Sequence, residues 1–480
     1  MTASVEKPSF NLFNRSVIQQ TLVSLVFFTV TSSLFFFLNK VQPNYYIDEI
    51  FHIPQTQRYC NGSFYEWDKK ITTLPGLYLI SAALLAPFKL CTTLFLRGIN
   101  LIGTFFNLFL IYQILRTTKW MKKIEDDSQT DKHGLALTIA LTITLLPPLY
   151  FWHFLYYTDV ISVNLVLLMY LLHQKQYYKS SVFAGALTVL IRQTNIIWVT
   201  LLAGEIVLNL IEQQTPQSIS TLNDRGIHGS PIHARLVWNN VRYYTRRGIG
   251  PFFQFVIDTC SHLKYHISVV VSFLAFIIWN KGIVLGDKTA HVATIHLPQI
   301  FYFSIFSLAF AWPYMLPNLK SFLKANREHW IISNVLLIIM TVIVHNNTLV
   351  HPYLLADNRH YVFYVWNKFL GRYYIAKYLL IPIYGFAIYS IFMCLRDVRY
   401  LSKIMYSVCL CVVLIPQLLL EPRYFIIPYI LLRLNMPEPK SWQITGELLT
   451  TIIINIIQFY IFATKTFYWT DQEGPQRISW

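Results

Sequence analysis

Asp48 and Glu49 stand side by side in the stretch Asn44–Gln55 (NYYIDEIFHIPQ), the first polar segment after a long apolar run. Adjacent residues do not share a helix face, so the two carboxylates must point apart. One is then available to a reacting group while the other is tied to local structure. A carboxylate beside the low-dielectric bilayer, with a basic neighbour, suits a general base. Taken alone, a solvated acid in an interfacial loop is the commoner occupant of such a position.

The balance changes because ionisable residues recur at the ends of other apolar runs. They are Asp159, Arg192 in Arg192–Asn195, Asp287 and Lys288, Asp357-Asn358-Arg359-His360, and Glu421-Pro422-Arg423. Ionisable groups at membrane depth are costly and face a partner or an aqueous cavity, so their recurrence on one side predicts an active site there. His52, Gln55 and Arg58, on the same segment as Asp48, complete the candidate set. For Arg423 and Lys288 a helix-end anchor is an equal alternative. The His residues are scattered and no metal-ligand spacing occurs, so no metal and no cofactor are expected. There is no Walker loop or GxGxxG, which leaves direct nucleotide use unsupported. The six cysteines include no CxxC pair, and neither a disulfide framework nor a zinc site is expected from them.

The elements that position these residues are membrane helices. Of 480 residues 55% are hydrophobic and only 13% charged, with a mean hydropathy of +0.43, more apolar surface than a soluble domain can hide. The formal charge of +16 is carried in short Lys/Arg clusters between apolar runs, a positive-inside signal rather than a nucleic-acid face. The run Thr21–Leu38 follows Lys7 and Arg15 and has no small-residue cleavage signal, so it is expected to be an uncleaved anchor entering from the cytosol.

The expected fold is an all-α polytopic membrane protein of about twelve to fourteen spans, one integral domain over 1–480. Segment 40–97 forms a first lumenal loop in which 73–96, interrupted by Pro75, Gly76 and Pro87, is re-entrant or interfacial. A full crossing there would put the basic 116–132 in the lumen, against the charge rule. Further spans are expected near 98–115, 134–150, 160–172, 180–191, 196–212, 265–279, 298–316, 329–345, 378–395, 404–420, 424–435 and 446–464. Between them, 213–264 is a long cytosolic loop or amphipathic surface element, and 352–377 is partly re-entrant. The sequons at Asn61 and Asn346 both fall in loops that this count places in the lumen.

At these motifs the chain resembles the eukaryotic alpha-1,2-glucosyltransferases that use dolichyl-phosphate glucose to add the last, third glucose to the lipid-linked oligosaccharide for N-glycosylation. The matching strings are Asp48–Tyr59 (DEIFHIPQTQRY), Trp67–Tyr78 (WDKKITTLPGLY), Leu155–Asp159 (LYYTD), Arg192–Trp198 (RQTNIIW), Gly282–Lys288 (GIVLGDK), His351–Trp366 (HPYLLADNRHYVFYVW) and Arg423–Pro428 (RYFIIP). The resemblance implies a GT-C type fold in the endoplasmic reticulum membrane, with a lumen-facing cavity under small interfacial helices of the first loop. It implies a dolichyl-phosphate glucose donor, a diglucosylated dolichyl-diphosphate oligosaccharide acceptor, and Asp48 as base. Making an alpha linkage from a beta-linked donor requires inversion, hence one in-line displacement assisted by one base. Basic side chains, with Arg192, Arg359, His360 and Arg423 as candidates, would stabilise the departing phosphate.

The rival readings are another dolichyl-phosphate-sugar transferase of the same pathway, mannosyl or earlier glucosyl, and a lipid or ion transporter. The absence of two matching halves with broken helices disfavours the transporter.

Overall fold

The computed structural model describes residues 10–118, 121, 129–213, 229–288, 293–470 and 474–480. Much of the basic segment 116–132, and residues 214–228 of the expected cytosolic loop, lie outside the described residues.

The first span, α1 (Phe10–Val41), leads into a compact first loop built from α2 (Glu49–Cys60) and α3 (Gly76–Leu85). The chain then runs through α4 (Thr93–Arg116), α5 (Gln129–Thr144), α6 (Pro147–Trp152), α7 (Thr158–Gln174), α8 (Tyr178–Ile191) and α9 (Ile196–Gln213). Proline at the first helical position starts α6, where its missing N–H has no intrahelical role. After α10 (Pro231–Arg246) comes α11 (Ile249–Asn280). Residues 249–264, expected in a hydrophilic loop, are therefore the first half of a 32-residue helix continuous with the 265–279 span. The apolar residues Phe252, Phe253, Phe255, Val256 and Ile257 continue the run toward the N-terminus, and the few polar residues among them do not interrupt it.

The expected 298–316 span breaks. Helix α12 (Pro298–Phe310) is followed by α13 (Trp312–Met315) and α14 (Leu319–Glu328), and the direction changes by 94°. Pro313 removes a backbone donor at the break. Helix α14 is amphipathic, with Lys320, Lys324 and Arg327 against Leu319, Phe322 and Leu323, the pattern of a helix lying in the membrane surface. Then follow α15 (Trp330–Asn347), the short pieces α16 (Pro352–Ala356), α17 (Tyr361–Val365) and α18 (Ala376–Leu379), and α19 (Ile381–Cys394), α20 (Tyr400–Leu414), α21 (Ile426–Leu434) and α22 (Ser441–Thr464). Region 352–377, expected to be partly re-entrant, is a series of short turns, none of crossing length. The C-terminal strands β1 (Thr466–Phe467) and β2 (Gln476–Arg477) pair antiparallel, with Thr466 opposite Arg477.

Among the described residues seven helices are long and apolar enough to cross a membrane, or eight with the bent pair. By this measure the count falls short of twelve to fourteen. Four shorter apolar stretches, Gly76–Phe88, α7, α8 and α20, carry further apolar surface.

The first loop has a core of its own. Ile53, Tyr59, Ile71, Leu77, Tyr78, Leu96, Tyr156 and Ile191 pack together beneath α2 and α3. One cysteine expectation is corrected here: Cys60 and Cys91 form a disulfide, tying the end of α2 to the segment before α4. The loop 280–288 is laid over the same unit by two backbone bonds, Leu285 N–H to Thr72 O at 3.1 Å and Asp287 N–H to Lys69 O at 2.7 Å. Gly286 makes that approach possible. It sits at φ +64°, and a Cβ there would come within 2.3 Å of the Lys69 carbonyl oxygen.

Candidate active site

Four chain segments end at one place: the turn before α2, the first turn of α7, the end of α8 and the turn before α21. They bring together Asp48, Asp159, Arg192, Glu421 and Arg423. The Arg423 guanidinium is at the centre. It stands 3.4 Å from Asp48 Oδ2 and 3.8 Å from Asp159 Oδ2, and its Nε is bonded to Glu421. Arg192 holds the other oxygen of Asp159 at 3.0 Å, and its Nε donates to Thr158 Oγ1 at 3.1 Å. Burial works against the Arg423 charge, but Glu421, Asp159 and Asp48 outweigh it and keep the guanidinium protonated well above its ordinary range. Its plane also lies 4.8 Å from the Trp152 ring and 5.4 Å from that of Tyr157.

Exposure separates the two aspartates. The Asp48 side chain is 38% exposed and that of Asp159 only 2%. Asp48 can meet a substrate, whereas the buried Asp159 holds Arg192 closely and reaches Arg423 only as an ion pair at 3.8 Å. The contact from Arg423 to Asp48, at 3.4 to 3.5 Å, is at the long limit of a hydrogen bond, and it is the loose contact that solvent can reach.

Glu49 points the other way, as its adjacency to Asp48 demands, and is fully buried. Its two oxygens accept from Arg97 Nε at 2.9 Å and Nη2 at 2.5 Å, and from the backbone N–H groups of Tyr46 and Tyr156 at 2.9 and 2.7 Å. Arg97 also donates to the carbonyls of Gln42 and Asn44. This pair staples the first loop to α4 and to the segment before α7, leaving Glu49 no surface for a substrate. Gln55 is likewise internal, donating to Glu66 O at 2.7 Å and accepting from Asp68 N–H at 2.9 Å. Neither is placed to bind substrate directly, because buried polar atoms already satisfied within the loop have nothing left to offer.

His52 lies under the cluster, one turn along α2, with Nδ1 2.6 Å from Tyr78 Oη. Burial pushes its pKa down to about 4, so the imidazole is neutral at physiological pH. Arg58 lies in the last turn of α2, about 9 Å further along the axis than His52, and pairs loosely with Glu66 at 3.8 Å, outside the cluster. Asp287 is exposed on the loop that covers Lys69–Thr72.

Asp357, Arg359 and His360 form a second group. Asp357 takes Arg359 in a fork, Nε at 2.9 Å and Nη2 at 2.7 Å, while Arg359 stacks 4.5 Å over Trp469. Asp357 is held below its usual range: burial opposes this, and Arg359 outweighs it. His360 Nδ1 is 2.8 Å from the Trp480 carbonyl. The group is linked to the first through Ser479, whose N–H donates to Arg359 O and whose hydroxyl accepts from Tyr46 two residues before Asp48.

Several residues outside the expected set shape the site. The Tyr157 hydroxyl accepts from Asp48 N–H at 2.8 Å and donates to Tyr46 O at 2.9 Å. Asn100 of α4 donates to the carbonyls of Leu155 and Tyr157, fixing the strand-like entry to α7. Arg97 had a usable signal, an arginine within the apolar run 93–116, which needs a partner at membrane depth. Tyr157 lies inside a motif string but has no spacing that marks its role. Among the described residues no three His, Cys, Asp or Glu side chains are grouped to hold a metal ion.

A polytopic helical membrane protein that gathers carboxylates and arginines at the helix ends above its spans, on a folded first loop, has the build of a membrane-embedded glycosyltransferase. The chain belongs to the DIE2/ALG10 family, whose sequence model matches residues 42–434. It is 37% identical over 438 residues to the Dol-P-Glc:Glc(2)Man(9)GlcNAc(2)-PP-Dol alpha-1,2-glucosyltransferase of Drosophila melanogaster, covering 91% of this chain and 94% of that one. A Homo sapiens enzyme of the same name is 37% identical over 468 residues, 94% and 97% covered. An Arabidopsis thaliana one is 34% identical over 508 residues, 92% and 96% covered. No solved structure matches the chain.

Proposed function

We propose that this chain transfers glucose from dolichyl-phosphate glucose, in alpha-1,2 linkage and with inversion, to the diglucosylated dolichyl-diphosphate oligosaccharide. The names of its relatives supply donor, acceptor and linkage. The observation that carries the mechanism is the exposed Asp48 carboxylate held loosely against the buried Arg423 guanidinium. Three carboxylates and two arginines leave the empty cluster net negative, so the donor phosphate must displace one carboxylate to be bound. Asp48 has the longest contact of those on Arg423 that also reaches solvent. With the phosphate on Arg423, Asp48 is released to take the proton from the acceptor hydroxyl as that oxygen attacks the anomeric carbon. The C–O bond to phosphate breaks as the new one forms, and Arg423, backed by Arg192 through Asp159, receives the developing charge. Arginines thus take the charge-neutralising role, and the reaction is proposed to need no divalent metal.

The site is proposed to face the lumen of the endoplasmic reticulum. The Cys60–Cys91 disulfide supports this, since such bonds persist in oxidising compartments. The sequon residues Asn61 and Asn346 are both exposed, and Asn347 beside the second bonds to Ile295 and Leu297, next to the 294–296 segment that pairs with 415–416 on the way to Arg423.

The test is transfer by purified protein supplied with dolichyl-phosphate glucose or dolichyl-phosphate mannose and acceptors carrying zero, one or two glucoses. Glucose transfer to the diglucosylated acceptor alone, unaffected by EDTA, is expected. Mannose transfer, or use of the unglucosylated acceptor, would replace this reading with another step of the pathway.

A further inference from the structure

A groove of about 900 Å³ opens between α19 and α20, away from the catalytic cluster. Helix α20 begins at this groove's mouth and ends at Leu414, before the segment that carries Glu421 and Arg423. The start of α20, at the mouth, is about 22 Å along the helix axis from its far end, while the apolar wall extends along it to Val412. The volume is near the upper end of ligand sites, roughly 300–1,000 Å³.

The walls change character along the groove. Ile404, Val408 and Val412 recur every four residues on one face of α20, and Phe392 faces them from α19. All four are exposed in the folded chain, on two apolar helices of which α19 is part of a candidate membrane span. At the other end the lining is Arg396, Asp397 and Lys403. Lys403 is only 8% exposed. Its ammonium donates to the Gly229 carbonyl at 2.8 Å, which leaves two of its three donors for another group. Gly229 closes this end so tightly that a Cβ would come within 2.1 Å of the Arg396 carbonyl oxygen. Arg396 is solvent-facing, and its ion pair is a loose one to Asp397 at 3.9 Å. The neighbouring Arg399 is committed elsewhere, to Glu205, Glu212 and Asn209.

An apolar slot between membrane helices with two cations at one end has the polarity of a lipid lying in its leaflet. Basic pockets of this kind bind phosphate headgroups. We propose that the groove is a phospholipid site in the leaflet opposite the catalytic cluster, with the lipid phosphate between Arg396 and Lys403 and one acyl chain along Ile404, Val408 and Val412. Asp397 in the same mouth makes it a site for a headgroup with a single phosphate, because a polyphosphorylated one would meet that carboxylate. The bare tail of a polyprenyl lipid would leave both cations without a counter-charge.

The full-length protein is reconstituted in phosphatidylcholine vesicles with a trace of phosphatidylethanolamine carrying a diazirine on one acyl chain. After illumination, labelled peptides are mapped by mass spectrometry. Helix α15, which is almost wholly exposed, reports contact with bulk lipid. Labelling of residues 404–412 at least fivefold above α15 is expected. It should fall to the α15 level in V408W and in I404W, and by several-fold in R396E. These residues face outward, so the variants are expected to fold, which glucosyl transfer checks. Labelling equal to α15 in the unaltered protein, or labelling insensitive to V408W and I404W in folded protein, overturns the site. Displacement of the probe by polyprenyl phosphate at concentrations where unlabelled phosphatidylethanolamine fails also overturns it, in favour of a polyprenyl phosphate.

Discussion

The Tyr157 hydroxyl holds the Asp48 backbone N–H at 2.8 Å and, through its own proton, the Tyr46 carbonyl at 2.9 Å. Between these two points Ile47 sits at φ +48°, a left-handed conformation that a β-branched residue rarely adopts. The tyrosine therefore holds a strained turn whose product is the direction of the Asp48 side chain. Tyr157→Phe should lower kcat roughly 5- to 150-fold, the worth of the two hydrogen bonds its hydroxyl makes, with KM for the donor little changed. I47G should recover part of that loss in the Phe background by relieving the strain. Steady-state kinetics on folded protein decides, and an unchanged kcat would mean the turn holds without Tyr157.

Asp48 and Glu49 are expected to fail in different ways. Asp48→Asn keeps the shape but accepts no proton, and loss of a general base typically lowers turnover on the order of 100- to 10,000-fold. Glu49→Gln breaks a fully buried pair with Arg97, which destabilises by about 3–5 kcal/mol. Yield and melting temperature should collapse for Glu49→Gln, and kcat per folded molecule for Asp48→Asn. A folded Asp48→Asn protein with near-normal turnover would remove Asp48 from the chemistry.

Arg423 and Arg359 make a second contrast. Arg423 has a loosely held carboxylate to exchange for phosphate, whereas the fork of Arg359 is filled by Asp357. Arg423→Gln should abolish transfer, and Arg423→Lys should restore only part of it, since a point charge lacks the guanidinium geometry. Arg359→Gln should show the smaller loss, read mainly in stability. Donor titrations of the three variants would expose the reverse order if the second group were the phosphate site.

His52 makes stability depend on pH. Its folded pKa of about 4 is below the ordinary 6.5, so between those values the unfolded chain takes up a proton that the folded one does not. The group's contribution is complete above pH 6.5 and is lost as pH falls toward 4, at up to about 1.4 kcal/mol per unit. The melting temperature should therefore fall more steeply from pH 7 to pH 5 in the unaltered protein than in His52→Gln. Parallel curves would show that His52 is not the group responsible.

Much of this arrangement is written in local pattern. The apolar runs locate nearly every helix, and adjacency alone sends Asp48 and Glu49 in opposite directions. The convergence of Asp48, Asp159, Arg192 and Arg423 follows because each ends a run on the same side. What escapes is what depends on pairing in space. Cys60 and Cys91 are 31 residues apart with no motif between them, so nothing local announces the bond. Nor does anything local announce that Asp357 fills the Arg359 fork, or that Arg359 stacks over Trp469 from the far end of the chain. The helical half of α11 escaped because its polar residues lowered the average, while its apolar residues continued the run.

The bonds from Tyr46 to Arg477 and Ser479 span 431 and 433 residues. A ribosome working at about 5–20 residues per second needs roughly 20–90 seconds to cover that distance. During that interval the first loop is already made, and the turn bearing Asp48 is without its far-side support. Completion of the turn that bears Asp48 is thus a late event in the chain's synthesis. It depends on the last hairpin threading back to a loop made at the start, so a lesion in residues 476–479 should produce an inserted, immature protein exposed to quality control.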